Sequence, residues 1–176
     1  VNCMENFDVI VIGSGIAGIS AAIEARDLGA NVVVLERGYG GGASGLSGGV
    51  VYAGGGTYIQ KEAGVEDTPE NMFNYLSQET QGIVKDETLR RFCEESPGMI
   101  EWLIENGAEF KGTVCEYKTS YPTDQHYLYY SGNEKAWPYM NYATPAPRGH
   151  RQVAPGMSSG NELMRRLTAT AERKGV

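Results

Sequence analysis

The chain has 176 residues, 41% of them hydrophobic, which is enough for one domain with a real core or for one domain plus part of another. Its formal net charge of -7 leaves no basic footprint for nucleic acid, although backbone N–H groups at a helix N-terminus still suit a small anionic ligand. Cys3, Cys93 and Cys115 are odd in number and widely spaced, so they suggest neither a disulfide framework nor a short-spaced zinc site. They read as reduced thiols of a cytoplasmic protein.

No apolar run is long enough for a membrane span, and the polar start from Val1 to Asn6 lacks a basic segment followed by an apolar core. The native chain is expected to begin near Met4, with Val1 to Cys3 an upstream tail or an expression remnant. Asp8-Val9-Ile10-Val11-Ile12 is apolar and β-branched on both faces, the pattern of a central parallel strand with helices on either side. Ile16, Ile19 and Ile23 then recur at helical spacing, and Ala17, Ala21, Ala22 and Ala25 let that helix sit close to the sheet. Gly29 is placed to end it, and Asn31 to Glu36 gives a second strand.

From Gly38 to Gly56 ten of nineteen residues are glycine. Such a stretch is costly to order and packs no core by itself, so it is either a disordered linker or a loop that a ligand orders. Val50, Val51 and Tyr52 favour the ligand, because they interrupt the glycines with residues that want burial. Thr68-Pro69 starts a helix carrying Met72, Phe73, Tyr75 and Leu76. A second helix opens at Asp86, and a third at Ser96-Pro97, which buries Ile100, Leu103 and Ile104 and stops at Gly107. Residues 112 to 157 are rich in Tyr, Pro and Gly and read as irregular, with short strands expected at Val114 to Tyr117 and Tyr127 to Tyr130. Helical spacing returns from Ser158 and ends at Gly175. A polar helix end, a glycine and an apolar residue recur at Gly29, Gly107 and Gly175, and a strand is expected after each of the first two. The third stops at Val176, so the chain is expected to be a fragment or one partner of a split protein.

Gly13-x-Gly15-x-x-Gly18 follows a strand, opens a helix and is followed by Glu36 at the end of the next strand, the three context checks of a dinucleotide-binding turn. Gly13 permits the turn, Gly15 lets backbone approach a pyrophosphate and Gly18 lets helix and strand pack. Unpaired N–H groups at Ile16 and Ala17 face the anion, and Glu36 can accept from ribose hydroxyls. After Glu36-Arg37 the chain enters its glycine- and serine-rich loop instead of another helix and strand. That suits an extended flavin, with Ser44 near the pyrophosphate and Ser47-Gly48-Gly49 beside the isoalloxazine ring; the bland alternative is a flexible surface loop.

Val9-x-Val11-x-Gly13-x-Gly15-x-Ala17-Gly18 with Glu36-Arg37, then Gly41-Gly42-Ala43-Ser44-Gly45-Leu46-Ser47-Gly48-Gly49, resembles the FAD-binding start of the fumarate reductase/succinate dehydrogenase flavoproteins. Tyr129-Tyr130-Ser131-Gly132-Asn133-Glu134 and Pro147-Arg148-Gly149-His150-Arg151 are more similar to the 3-ketosteroid dehydrogenase branch, especially the type that oxidises the ring-A bond between carbons four and five. The resemblance implies an α/β, Rossmann-like FAD-binding domain with a parallel sheet, the N-terminal portion of a two-domain flavoprotein. A helical and Tyr-rich insertion would occupy about 67–157, and the substrate cap would lie outside this chain. It implies hydride transfer between flavin N5 and a substrate carbon next to an activated group, with a tyrosine or arginine handling the proton. The cofactor residues are then Gly13, Ser14, Gly15, Ile16, Ala17, Gly18, Glu36, Arg37, Ala43, Ser44, Gly45, Ser47, Gly48 and Gly49.

Tyr127, Tyr129, Tyr130 and Ser131 either line a flat apolar pocket or form an ordinary strand, and Tyr129, Tyr130 and Ser131 are the catalytic candidates within the chain. Arg148, His150 and Arg151 bind a flavin phosphate or a substrate carboxylate, or pair with a neighbouring acidic loop, the last being favoured. With only His126 and His150 present and no paired carboxylates near either, no metal is expected. The expected partners are a small apolar ketone or an unsaturated acid, an external electron carrier and a complementary C-terminal polypeptide. A non-catalytic FAD-binding half of a split protein is the remaining alternative.

Overall fold

A computed structural model describes residues 5–176, so Cys3 and the expected start near Met4 lie outside the described residues. The chain opens with β1 (Val9–Ile12), α1 (Ile16–Asp27) and β2 (Val32–Leu35), and β1 and β2 pair in parallel with Val9 opposite Val32 and Ile12 opposite Leu35. This is the strand–helix–strand unit that the apolar runs and the glycine turn predict. α1 buries Ile19, Ala22 and Ile23, and Gly29 turns the chain out of the helix at φ 93°. Among the described residues only one face of this pair is covered: Ile10, Ile12 and Leu35 are exposed on the other, so the two-sided cover expected for β1 is not supplied by these residues.

A second sheet runs in the order β3 (Val50–Tyr52), β6 (Gly149–Arg151), β5 (Leu128–Tyr129), β4 (Val114–Cys115). β6 is antiparallel to both neighbours, whereas β4 and β5 are parallel. The strands expected at 114–117 and 127–130 are therefore present but shorter. The stretch after Gly107 reaches β4 only at Val114, and β3 and β6 form where no periodicity announced a strand. Three residues are too few to show alternation, and the side chains of β6 are polar yet buried.

After the short helices α2 (Gly42–Leu46) and α3 (Tyr58–Glu62), α4 (Pro69–Thr80) starts on the Thr68 cap, whose hydroxyl accepts from Asn71 N–H at 3.1 Å. α5 then runs unbroken over Asp86–Glu105, which corrects the expected third helix: Pro97 lies inside it. A proline there removes the bond to the carbonyl four residues back, Cys93. The Gly55 backbone packs against that carbonyl so closely that a Cβ would sit 2.9 Å from it. Burial of Leu89, Cys93, Ile100 and Leu103 along one stripe outweighs the lost bond. α6 (Ser159–Lys174) closes the core, where Leu163, Met164, Leu167 and Ala171 meet Ile19 and Ile23 of α1 and Ile100 and Leu103 of α5.

The second sheet is knitted by buried polar groups. Arg148 and Asp67, both fully buried, form a two-point ion pair at 2.9 Å each, and Asp67 also accepts from Gly55 N–H, Gln60 and Asn71. Burial opposes charge on Asp67, but the Arg148 guanidinium holds its carboxyl below the usual range. His150 is fully buried between the Thr57 hydroxyl at 2.9 Å and the Arg148 carbonyl at 3.1 Å. Burial pushes its pKa down from 6.5 to about 4, so it folds as neutral imidazole.

Because the unfolded chain takes up that proton at 6.5 and the folded one only near 4, His150 contributes stability that is complete above pH 6.5 and is lost as pH falls toward 4. Urea denaturation should therefore show stability dropping by roughly 3 kcal/mol across that window from this group. His150→Gln should flatten the drop; an equally steep profile in the variant would contradict the assignment.

Candidate functional site

The site is built where β1 stops. Gly13, at φ 95°, turns the chain from strand to helix, and its N–H donates to Leu35 O at 2.8 Å. A Cβ on Gly18 would lie 1.9 Å from Gly13 O, so only glycine lets α1 cross the strand end this closely. Gly15 differs, since a Cβ there would meet nothing within 4 Å. Its open side faces a cavity of about 490 Å³ lined by Ile12, Gly13, Ser14, Gly15, Leu35, Glu36, Arg37 and Gly42.

Glu36 forms the far rim. One carboxylate oxygen accepts from Ser14 N–H at 2.9 Å and Ser14 Oγ–H at 2.8 Å, and the other from Gly38 N–H at 2.8 Å. The Ser14 N–H first, then that of Gly38, brings its pKa from 4.5 down to about 2. The carboxylate is thus ionised at every working pH, with lone-pair capacity left for a hydroxyl.

The glycine segment folds back over the helix start. α2 (Gly42–Leu46) brings the Ser44 hydroxyl to 3.4 Å from Ile16 N–H, and Gly45 N–H is held by Gly41 O at 2.9 Å. Ser47 Oγ–H donates to Ser44 O at 2.7 Å and Ser47 Oγ accepts from Gly49 N–H at 3.2 Å. A Cβ on Gly49 would lie 2.3 Å from the Ser159 backbone, and one on Gly160 would lie 2.3 Å from Ser47 O. The start of α6 therefore shapes the loop from behind, so the chain supplies one wall of this segment itself. Ala43 sits within α2 between these contacts.

Gly13, Ser14, Gly15, Glu36 and Arg37 are brought together on one cavity, with Gly18 beneath it. Ile16 and Ala17 offer backbone N–H groups at the helix N-terminus, but they also line a separate apolar groove with Val51, Met99 and Trp102. Gly48 lies under the ring of Tyr121, whose Cε1 is 3.2 Å from where a Cβ would be. Tyr121 is 62% exposed while touching this loop, and sequence reasoning missed it; the only local signal was the turn-forming Tyr121-Pro122 pair.

Tyr129, Tyr130 and Ser131 do not line the cradle cavity. Tyr129 is 1% exposed, its hydroxyl donates to Ser120 O at 3.3 Å, and burial pushes its pKa up to about 12. Tyr130 is buried beneath the Lys135 ammonium, 3.9 Å from the ring centre, and Ser131 packs against Gly149. Arg148 and Arg151 pair with Asp67 and Asp124, in keeping with the expected ion-pair role.

Residues 8–176 match the model of the FAD binding domain family. The chain belongs to that family. Over 154 residues it is 53% identical to a 3-oxo-5-alpha-steroid 4-dehydrogenase of Comamonas testosteroni, covering 86% of this chain and 29% of that protein. Its structure is similar to a 3-ketosteroid-delta4-(5alpha)-dehydrogenase of Rhodococcus jostii RHA1 solved with 4-androstene-3,17-dione, with TM-score 0.91, 40% identity, and 99% of this chain and 38% of that one covered. A flavocytochrome c3 fumarate reductase shares the fold at TM-score 0.73 and 24% identity, over 99% of this chain and 26% of its own. The chain thus spans well under half the length of these relatives.

The residues present fit FAD. The open flank of Gly15 and the N–H groups opening α1 suit the pyrophosphate, and Glu36 suits the ribose hydroxyls. Gly15 has φ -67°, ψ 178°, which valine adopts freely. Gly15→Val should therefore fold normally yet retain at least tenfold less flavin after gel filtration, as read by visible absorbance, because its side chain would occupy the pyrophosphate approach. Flavin content equal to that of the parent would overturn the placement.

Proposed function

We propose that the protein carrying this chain is an FAD-dependent oxidoreductase acting on a carbon–carbon bond conjugated to a ketone, with a 3-ketosteroid as substrate and ring-A carbons four and five as the reacting pair. The reading rests above all on the 53% identity with a 3-oxo-5-alpha-steroid 4-dehydrogenase. Dehydrogenation takes a hydride and a proton from adjacent carbons, and bound FAD supplies the hydride acceptor.

What this chain contributes is the cradle and one side of the ring site. Gly13 to Gly18, Glu36, Arg37 and the loop from Ala43 to Gly49 bind and orient the cofactor. Tyr121, exposed above Gly48, is the group best placed to meet substrate over the ring. Tyr129, Tyr130 and Ser131 belong to the wall behind it; Tyr129 acts through Ser120 and is a positioning residue rather than a catalytic one. The helical and Tyr-rich stretch at about 67–157 is an insertion in the FAD domain, and the substrate cap and remaining catalytic groups come from a complementary C-terminal polypeptide. An external electron carrier closes the cycle. The buried free thiols Cys93 and Cys115 fit a cytoplasmic setting, and among the described residues no helix is long and apolar enough to cross a membrane.

A reductase of small unsaturated acids is the second reading, supported by 33% identity over 108 residues with a NADH:fumarate oxidoreductase of Klebsiella pneumoniae. Against it, Arg148 and Arg151 are held by internal carboxylates rather than turned toward the cradle. A non-catalytic FAD-binding half would take up flavin and turn over neither substrate. Assays with an artificial electron carrier should show oxidation of a 4,5-saturated 3-ketosteroid and no reduction of fumarate; the reverse result would establish the acid reductase instead.

A further inference from the structure

Tyr121 reaches the flavin loop on a turn with no regular structure of its own, held by hydrogen bonds on either side of the ring. Thr119 N–H donates to Tyr130 O at 3.3 Å, Tyr129 holds Ser120 O, and Tyr121 N–H donates to Thr119 Oγ1 at 3.2 Å. Beyond the ring, one guanidinium does the rest. Arg151 Nη1 donates to the carbonyls of Pro122 and Thr123, each at 3.4 Å, and Nη2 donates to Asp124 Oδ1 at 2.9 Å and to Gly156 O. Asp124 in turn accepts from Gly156 N–H at 2.9 Å.

The same side chain reaches the opposite wall. Arg151 Nε donates to Ser159 Oγ at 3.0 Å, and the Ser159 backbone is what presses on Gly49. Its own strand is fixed to that loop as well, with Arg151 opposite Val50 and Gln152 N–H donating to Gly49 O at 3.0 Å. A single planar fork, 5% exposed, therefore sets the spacing between the Tyr121 turn and the α6 start that flank Gly48 and Gly49.

We propose that Arg151 is a positioning residue for the flavin-side face of Tyr121: by tying the Pro122–Asp124 turn to Ser159 it fixes where the exposed tyrosine ring lies over Gly48. This rests on the reading of Gly48 as a flavin-ring contact. Lysine keeps the charge but lacks the fork, so it does not replace Arg151. Arg151 touches none of the cradle residues from Gly13 to Gly18, so the hold on the pyrophosphate does not depend on it.

The test uses the full-length protein, flavin-loaded and flavin-free, with Arg151→Lys, Arg151→Met, Asp124→Asn and Tyr121→Phe. In the two Arg151 variants the flavin-to-protein ratio should equal that of the parent. Fluorescence of the bound flavin should rise as the tyrosine leaves, trypsin should cut after Lys118 several-fold faster, and KM for a 3-ketosteroid should rise more than kcat falls. Asp124→Asn should show the same changes, smaller, and it decides the matter if Arg151→Met does not fold. Tyr121→Phe should leave the cutting rate at the parent's. Parental fluorescence and parental cutting in every folded Arg151 and Asp124 variant would overturn the proposal, as would loss of flavin from them. A parent that binds no flavin would instead sink the FAD reading, and the flavin-free cutting rates would still decide the role of Arg151.

Discussion

The approach of α1 to the end of β1 is the constraint on which the site depends. At Gly18 the helix backbone comes so near the Gly13 carbonyl that no side chain fits between them, and this contact fixes the helix axis relative to the strand. Just before the helix Ser14 N–H donates to Glu36, and at its first residue Ile16 N–H faces the Ser44 hydroxyl. An acidic protein can bind a dinucleotide under these conditions because the favourable field comes from oriented peptide dipoles rather than lysines. The negative charge that does line the cradle, Glu36, is itself held by Ser14 and Gly38 N–H groups, so it serves as a hydroxyl acceptor without needing a cation beside it.

Around this rigid start the glycine segment could have been a tether. Instead its turns are pressed against the first turn of α6, with Gly49 against Ser159 and Gly160 against the Ser44 and Ser47 carbonyls. Glycine serves close packing here as much as conformational freedom. Buried polar pairs do the matching work in the second sheet. The Asp67–Arg148 pair and the neutral His150 hold short strands in register where too few apolar residues exist to do so. Such pairs specify an arrangement more than they stabilise it, because removing two charges from water offsets much of their attraction.

The unit from Phe7 to Arg37 was legible because each step is written in adjacent residues: β-branched strand, glycine turn, small-residue helix, second strand, acid. The FAD assignment followed from the loop that comes next. What stayed hidden depends on contacts between distant residues. Tyr121 over Gly48 and Arg151 bridging Asp124 and Ser159 leave no periodic trace. The strand Gly149–Arg151 is too short and too polar to announce itself. Ser96-Pro97 carried a true local signal for a helix start, and tertiary burial of Leu89, Cys93 and Ile100 on one stripe overrode it.

The most direct test of the cradle is a crystal structure of the FAD-loaded protein. It should place the adenosine ribose within hydrogen-bond distance of Glu36, the pyrophosphate against Gly15 and the first N–H groups of α1, and the isoalloxazine ring beside Gly48 and Gly49 with Tyr121 on its open side. Flavin bound away from the Gly13–Gly18 turn, or with its ring on the far side of Glu36, would contradict the account.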